Sequence, residues 1–242
     1  MSNFKNMALA MVSICSTLTF SPMASAEMQW SDFSLSYLTS DQYEVGDNSR
    51  QFLTVEHASG HTWGDTFFFL DRSKYDDGTL ENYAEFSPRL SLGYVTGNDL
   101  SFGIVSDVYV ASTWEMGESF DNYLIGLGVS LNIPGFNYFT ANVYQANNML
   151  WDNDQMLTIT WSKGFKLGSA DFLYDGFIDW STSSDSQASE MNFTSQLKYN
   201  VGQLFDLKSP VYVGIEYAYW NNKFGISGVD ERSVSLLAKW HF

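Results

Sequence analysis

The feature that most constrains this chain is its last nine residues, Val234–Phe242, which read Val-Ser-Leu-Leu-Ala-Lys-Trp-His-Phe. Side chains alternate between the two faces of an extended strand. Val234, Leu236, Ala238, Trp240 and Phe242 therefore share one face, while Ser233, Ser235, Lys239 and His241 share the other, with Leu237 the single apolar intruder. A soluble sheet rarely leaves a Trp-x-Phe pair on an outer face. A strand with hydrocarbon on one side and a polar lumen on the other needs this pattern, with aromatic rings at the membrane rim.

The beginning of the chain agrees. Lys5 supplies a positive n-region, Met7–Phe20 is apolar, and Ala24-Ser25-Ala26 is a small-x-small cleavage site. A spanning helix needs about 20 apolar residues, and Ser13, Ser16, Thr17 and Thr19 interrupt this run. Residues 1–26 accordingly read as a cleaved secretory signal peptide and 27–242 as the mature protein. The only cysteine, Cys15, falls in the leader, and Val12-Ser13-Ile14 lacks the small residue that a lipidated cysteine requires before it. The mature chain is expected to carry no disulfide and no lipid anchor. The whole chain has a net charge of −16, and losing Lys5 makes it one unit more negative. Nucleic acid and anionic lipid surfaces select basic patches, so neither is an expected partner. Hydrophobic residues make up 45% and aromatics 17%, yet mean hydropathy is only −0.16 and no helix-length apolar run follows the leader. A barrel, in which only alternate residues meet lipid, fits these values.

The mature chain reads as short alternating runs between turn-rich breaks, which predicts an all-β, antiparallel up-and-down transmembrane β-barrel. Twelve strands are expected, ten being the alternative count: Gln29–Leu38, Gln51–Ala58, Thr62–Asp71, Tyr83–Tyr94, Leu100–Ser112, Asn122–Ile133, Phe136–Gln145, Met156–Ser162, Asp171–Trp180, Met191–Val201, Val211–Trp220 and Ser233–Phe242. Pro88 falls inside the fourth, where it removes a ladder donor or marks a bulge. The odd-numbered breaks are mostly longer and collect the acids, Asp41, Glu44, Asp47, Asp76, Asp77, Glu81, Glu115, Glu118, Asp121, Asp152, Asp154, Asp185, Glu190, Asp230 and Glu231. The even ones hold Asp99 and Asp206 with Lys163, Lys166 and Lys208. This sorting predicts a multi-pass protein of a Gram-negative outer membrane with both termini periplasmic.

Strand phase then sorts side chains. A basic residue at the bilayer midplane on the lipid face costs roughly 2–4 kcal/mol, so the charged phase is the lumen. Glu85, Arg89 and Ser91 oppose Phe86, Pro88, Leu90 and Leu92; Asp107 and Tyr109 oppose Val108 and Val110; Glu216 opposes Ile215 and Tyr217. In the third strand Asp65 and Asp71 are in phase with Phe67 and Phe69, which turns two neighbouring rings inward. Inward rings either pack the lumen or offer a stacking surface to flat solutes, where a stacked base gains about 1–3 kcal/mol.

Here the residues resemble the Tsx/OmpK group of nucleoside-specific channel-forming outer-membrane proteins. The third strand is similar to that family's Trp-x-Asp-x-aromatic-x-aromatic-x-Asp at Trp63, Asp65, Phe67, Phe69 and Asp71. Pro88-Arg89-Leu90-Ser91 followed by Asp99-Leu100-Ser101-Phe102-Gly103 is the densest match. Met116-Gly117, Gly126-Leu127-Gly128 and Asn142-Val143-Tyr144 continue it in order. Tyr219–Gly225 and the ending Lys239-Trp240-His241-Phe242 look nearer the OmpK branch. The resemblance implies a twelve-stranded monomeric barrel passing nucleosides down their gradient, outer loops that serve as a bacteriophage receptor, and a terminal Phe242 read by the barrel assembly machinery. On this reading Phe67, Phe69 and Tyr109 offer stacking faces, while Asp65, Glu85, Arg89, Asp107, Asn142 and Glu216 bond the ribose and the polar edge of the base. For each of these residues a bracing role in the barrel wall is the plainer alternative.

A second reading makes the loops the functional part, as a surface receptor whose acids bridge cations to lipopolysaccharide or meet phage fibres. An enzyme is not expected. His57, His61 and His241 are the only histidines and stand at no triad spacing, and no Cys/His metal set or phosphate loop occurs. Asp171, Asp175 and Asp179 are spread too far along one strand for a single Ca²⁺. No cofactor is expected.

Overall fold

The structure, a computed structural model, describes residues 27–242. The expected signal peptide, with Cys15, lies outside the described residues. The rest is a closed barrel of twelve antiparallel strands in chain order, with the last strand paired to the first. The strands are β1 (Met28–Ser40), β2 (Arg50–His61), β3 (Gly64–Tyr75), β4 (Leu80–Ser91), β5 (Val105–Met116), β6 (Asp121–Leu131), β7 (Tyr138–Asn147), β8 (Gln155–Leu167), β9 (Ala170–Ser181), β10 (Glu190–Asn200), β11 (Val211–Asn221) and β12 (Glu231–His241). A short helix α1 (Leu92–Thr96) follows β4. Strands of 10–13 residues are long enough to cross a bilayer at the usual tilt, for which about 9–11 suffice. Closure leaves no sheet edge with unpaired backbone groups to face hydrocarbon.

The phase read at the end of the chain is the phase of β12. Glu231, Ser233, Ser235, Leu237 and Lys239 are buried, whereas Val234, Leu236 and Trp240 are exposed on the outside. The same alternation runs through β6 and β7, where Ile125, Leu127 and Val143 point outward opposite buried Leu124, Asn142 and Tyr144. Outward rings gather at both ends. Phe33, Phe242 and Trp240 form one chain (4.9 and 4.8 Å) and Phe165, Phe172 and Tyr199 another (5.5 and 5.3 Å), both at the end where β1 begins and β12 finishes. Trp114 stacks on Tyr123 at 6.0 Å near the other end. These are the two aromatic girdles of an outer-membrane barrel. Of the outward-facing basic residues in strands, Lys74 and Arg232 lie next to a strand end, Arg72 is three residues from one, and Lys163, four residues from one, carries its Nζ to the Phe136 ring of the β6–β7 connection at 5.4 Å.

Several expected details change. The fourth strand was predicted to run to Tyr94 and the fifth to start at Leu100, but the chain leaves the sheet after Ser91. The Ser91 hydroxyl accepts from the Tyr94 amide at 3.0 Å and caps α1, which ends at Gly97 with φ 68°. Strand β5 therefore starts only at Val105, and a register irregularity between Val105 and Asp107 sets its phase. Pro88 marks no bulge: the register from Glu85↔Glu115 to Arg89↔Ala111 is unbroken, and only the ladder positions at Ser87 and Pro88 are missing. The Ser112 hydroxyl donates to the Pro88 carbonyl at 3.2 Å in their place. Nor do connections alternate long and short. Those at 92–104 and 201–210 hold helical turns and are among the longest, while 76–79 and 117–120 are tight. Five acids read as loop residues belong to strands: Glu81 in β4, Glu115 in β5, and Asp121, Glu190 and Glu231 as the first residues of β6, β10 and β12. The acids remain collected at the end of the odd-numbered connections, hereafter the odd end.

Candidate functional site

The pairing register assembles the inward residues. Asp65 stands opposite Arg89 and Phe69 opposite Glu85 across β3–β4; Ser91 stands opposite Tyr109 and Glu85 opposite Glu115 across β4–β5. Asp107 meets Ser130 and Tyr109 meets Gly128 across β5–β6, and Gly128 meets Asn142 across β6–β7. Asp65, Phe67, Phe69, Glu85, Arg89, Asp107, Tyr109 and Asn142 are thus one continuous wall made by β3 to β7. Glu216 is not part of it, because β11 lies on another sector of the barrel.

At the even end of this wall Arg89 donates from Nε and Nη2 to the two oxygens of Asp65, at 2.8 and 2.6 Å. Such two-pronged pairing fixes the plane of the guanidinium. Its Nη2 also reaches the Ser130 hydroxyl at 3.4 Å, and its carbon lies 4.4 Å over the Tyr109 ring. The outer nitrogen Nη1 has no protein partner, nor has Oδ1 of the buried Asn142. Gly128 makes this packing possible: a Cβ there would stand 2.1 Å from Asn142 Oδ1. Asp107 sits lower, accepting from the Val108 amide at 2.8 Å. It lines an open cavity of about 410 Å³ with Thr62, Ser91, Gly93, Asn98 and Asp99, at the mouth where α1 lies.

Toward the odd end the wall becomes aromatic. Phe67 and Phe69 are 6.0 Å apart, Tyr83 follows at 5.8 Å and Phe120, from the β5–β6 connection, at 6.3 Å. The four rings form a ladder from the middle of the lumen to its mouth, and Phe67 keeps 38% of its surface open. Tyr83 also donates to Glu85 at 2.7 Å. The sequence reading missed its upper rungs, since Tyr83 stood at an expected strand end and Phe120 in a loop. A period-two reading of β4 in phase with Glu85 would have found Tyr83; nothing local marks Phe120. It also passed over Phe177, which pairs with inward Thr194 and Thr160.

The opposite sectors are polar. Gln196 donates to Glu216 at 2.8 Å and accepts from Lys198 at 2.8 Å, and Lys198 also donates to Asp175 at 2.7 Å. Lys239 donates to Glu56, which also accepts from Ser34 at 3.1 Å. Of the inward cations, Arg89, Lys198 and Lys239 are each paired with a carboxylate, whereas Arg50 donates to the Asp47 and Val45 carbonyls. Asp71, Glu85, Glu115, Asp179 and Glu216 instead accept from neutral donors, Thr54, Tyr83, Asn122, Thr158 and Gln196. Carboxylates thus outnumber cations in the lumen. The Asp171, Asp175 and Asp179 row is split among Lys166, Lys198 and Thr158. The three histidines lie apart: His57 bonds outward Ser31 at 3.0 Å, His61 stacks on Trp63 at 4.9 Å, and His241 meets Asp32 at 2.9 Å.

A closed barrel with an apolar, ring-girdled outer wall and a polar, charged bore is a channel-forming protein of the outer membrane. Solved barrels of that class share the fold. KdgM porin superposes with a TM-score of 0.52 at 11% identity over 87% of this chain and 99% of its own, and NanC porin with 0.51 at 10% over the same shares. The chain belongs to the family described as nucleoside-specific channel-forming protein, Tsx, whose profile matches residues 25–235. Among curated relatives, an outer membrane protein OmpK of Vibrio parahaemolyticus is 36% identical over 110 residues, covering 43% of this chain and 41% of that protein. The OmpK of its serotype O3:K6 (strain RIMD 2210633) is 30% identical over 155 residues, covering 56% and 58%. The chain thus spans about half the length of the curated relatives it matches.

Proposed function

We propose that the protein is a passive channel selective for nucleosides and similar flat, uncharged solutes. The observation that carries this reading is the ladder Phe67–Phe69–Tyr83–Phe120 running alongside a hydrogen-bonding wall within one bore. Nucleosides present both a stacking face and polar edges. The ladder addresses the first; Glu85, Arg89, Tyr109 and Asn142, with Asp65 and Asp107 at the exit and Glu216 across the bore, address the second. Several weak contacts in series let a solute enter and still leave. Carboxylates without cation partners disfavour phosphorylated solutes, and equally an anionic sugar such as the oligogalacturonate named with the KdgM porin. The family's description supports the same solute class.

Rates of liposome swelling test the proposal. Nucleosides should enter faster than sugars of similar size, and loss of the difference in Phe67→Ala plus Phe69→Ala would tie it to the rings. Equal rates in the unaltered protein would remove the selectivity. A second role is favoured by the acid-rich odd end: these connections would face the outside, as lipopolysaccharide-facing or phage-receptor surfaces, with both termini periplasmic, Phe242 presented to the assembly machinery and the barrel monomeric. Exchanging the connections at 76–79 and 117–120 and scoring phage adsorption tests it; adsorption indifferent to every exchange argues against a receptor.

A further inference from the structure

The connection between β1 and β2, residues 41–49, does not stay outside the barrel. Tyr43 is buried, and its hydroxyl meets that of Ser235 at 3.1 Å. Ser235 is an inward residue of β12 and pairs across the sheet with Glu216, so the ring reaches the level of a lumen carboxylate. Its ring lies 5.9 Å from Phe52, an inward residue of β2, and the Arg50 guanidinium covers it at 4.6 Å while also lying 5.1 Å from Tyr75. Arg50 in turn donates to the Asp47 carbonyl at 2.9 Å and to that of Val45. Gly46 turns the chain at φ 77°, and a Cβ there would stand 2.8 Å from the guanidinium.

A single carboxylate ties this connection to the wall. Glu231 accepts from the amides of Glu44 and Val45, at 2.9 and 3.1 Å, and from Lys223 Nζ at 3.2 Å. Glu231 is 1% exposed and Lys223 5%. Burying an ion pair adds little stability over apolar residues of the same size. What the carboxylate supplies here is two directed acceptors for backbone amides of another connection, which hold the chain over the mouth.

We propose that residues 41–49 form a constriction inside the odd mouth, with Tyr43 as its size-determining side chain and Glu231 as the latch that holds it there. The inference rests on the channel reading and adds to it a specific gatepost that the lumen wall alone does not contain. A glutamine at 231 would keep the shape but turn an amide toward one of the two loop N–H groups. Alanine at 43 would leave the barrel wall intact and remove the ring.

Single-channel conductance in planar bilayers tests the proposal, with heat-modifiable gel mobility confirming that each barrel is folded. Tyr43→Ala should raise conductance roughly twofold and Glu231→Gln in the same direction, as expected when the narrowest point of a pore widens. Swelling assays should then admit larger sugars. Tyr43→Cys, the only cysteine among residues 27–242, should show the raised conductance and return to the low value when a bulky methanethiosulfonate is attached. A folded Tyr43→Ala with unaltered conductance and size limit overturns the constriction while leaving the channel standing. An unaltered protein that gives no conductance steps overturns the channel and the constriction with it.

Discussion

Arg89 concentrates the chemistry of the lumen at one residue. Its pairing with Asp65 takes place with both side chains largely shielded, at 12% and 25% exposure. Removing one partner of such a pair leaves an uncompensated charge, at a cost of about 3 kcal/mol where the site is partly wet. Asp65→Asn should therefore lower the temperature of heat-modified mobility well below that of the unaltered protein. Asp65→Asn combined with Arg89→Leu should recover part of the loss; a double variant that loses the sum of both singles would deny the coupling. The rings make a separate prediction. Stacking one base contributes about 1–3 kcal/mol, so Phe67→Ala should weaken adenosine block of the ion current roughly tenfold, read as a shift of the half-blocking concentration.

At the scale of the element, strand phase decides cost. Ile125 faces outward from the middle of β6 and is 63% exposed. Ile125→Arg should destabilise the barrel by roughly 2–4 kcal/mol in urea unfolding from lipid vesicles, whereas Thr194→Arg, on the lumen face of β10, should cost markedly less. The inward connection makes a pH prediction. Burial pushes the Tyr43 hydroxyl up to about 12 from its ordinary 10.0, against the lowering effect of the Ser235 hydrogen bond. A group raised on folding adds stability that is complete below the ordinary value and lost as pH climbs through the raised one. The Tyr43 constriction should thus hold up to pH 10 and loosen towards 12, seen as rising conductance that Tyr43→Phe abolishes. This scale also marks what could be read in advance. Period-two alternation gave the phase of β3, β4, β5, β11 and β12, because lipid on one side and water on the other impose it on each residue separately. It could not show that Leu92–Thr96 leaves the sheet, since Ser91 caps the helix with the same side chain that fits the strand phase. Nor could it place Glu231 or Tyr43, whose positions depend on partners nearly two hundred residues away. Glu216 was phased correctly, but its place on a different sector from Arg89 was not legible, because alternation reports a face and not a sector of the circle.

At the scale of the whole molecule the excess of carboxylate over cation in the bore sets its preference among ions. A pore whose fixed charges are net negative raises the local concentration of cations. The reversal potential in a potassium chloride gradient should show cation selectivity, and Glu115→Gln with Asp179→Asn should reduce it; a preference for chloride in the unaltered protein would contradict the lumen charge pattern. The girdles, the apolar band and the closed ladder were legible together because they are repeated along the chain. The seam itself follows from closure: β12 lies on β1, with the Phe242 amide donating to the Phe33 carbonyl at 2.9 Å. A strand made early thus waits with one flank bare until one made some two hundred residues later arrives. Truncation upstream of Glu231 should therefore yield no narrower pore, only a ribbon with two raw margins, vulnerable to periplasmic proteases and prone to pair with its own kind.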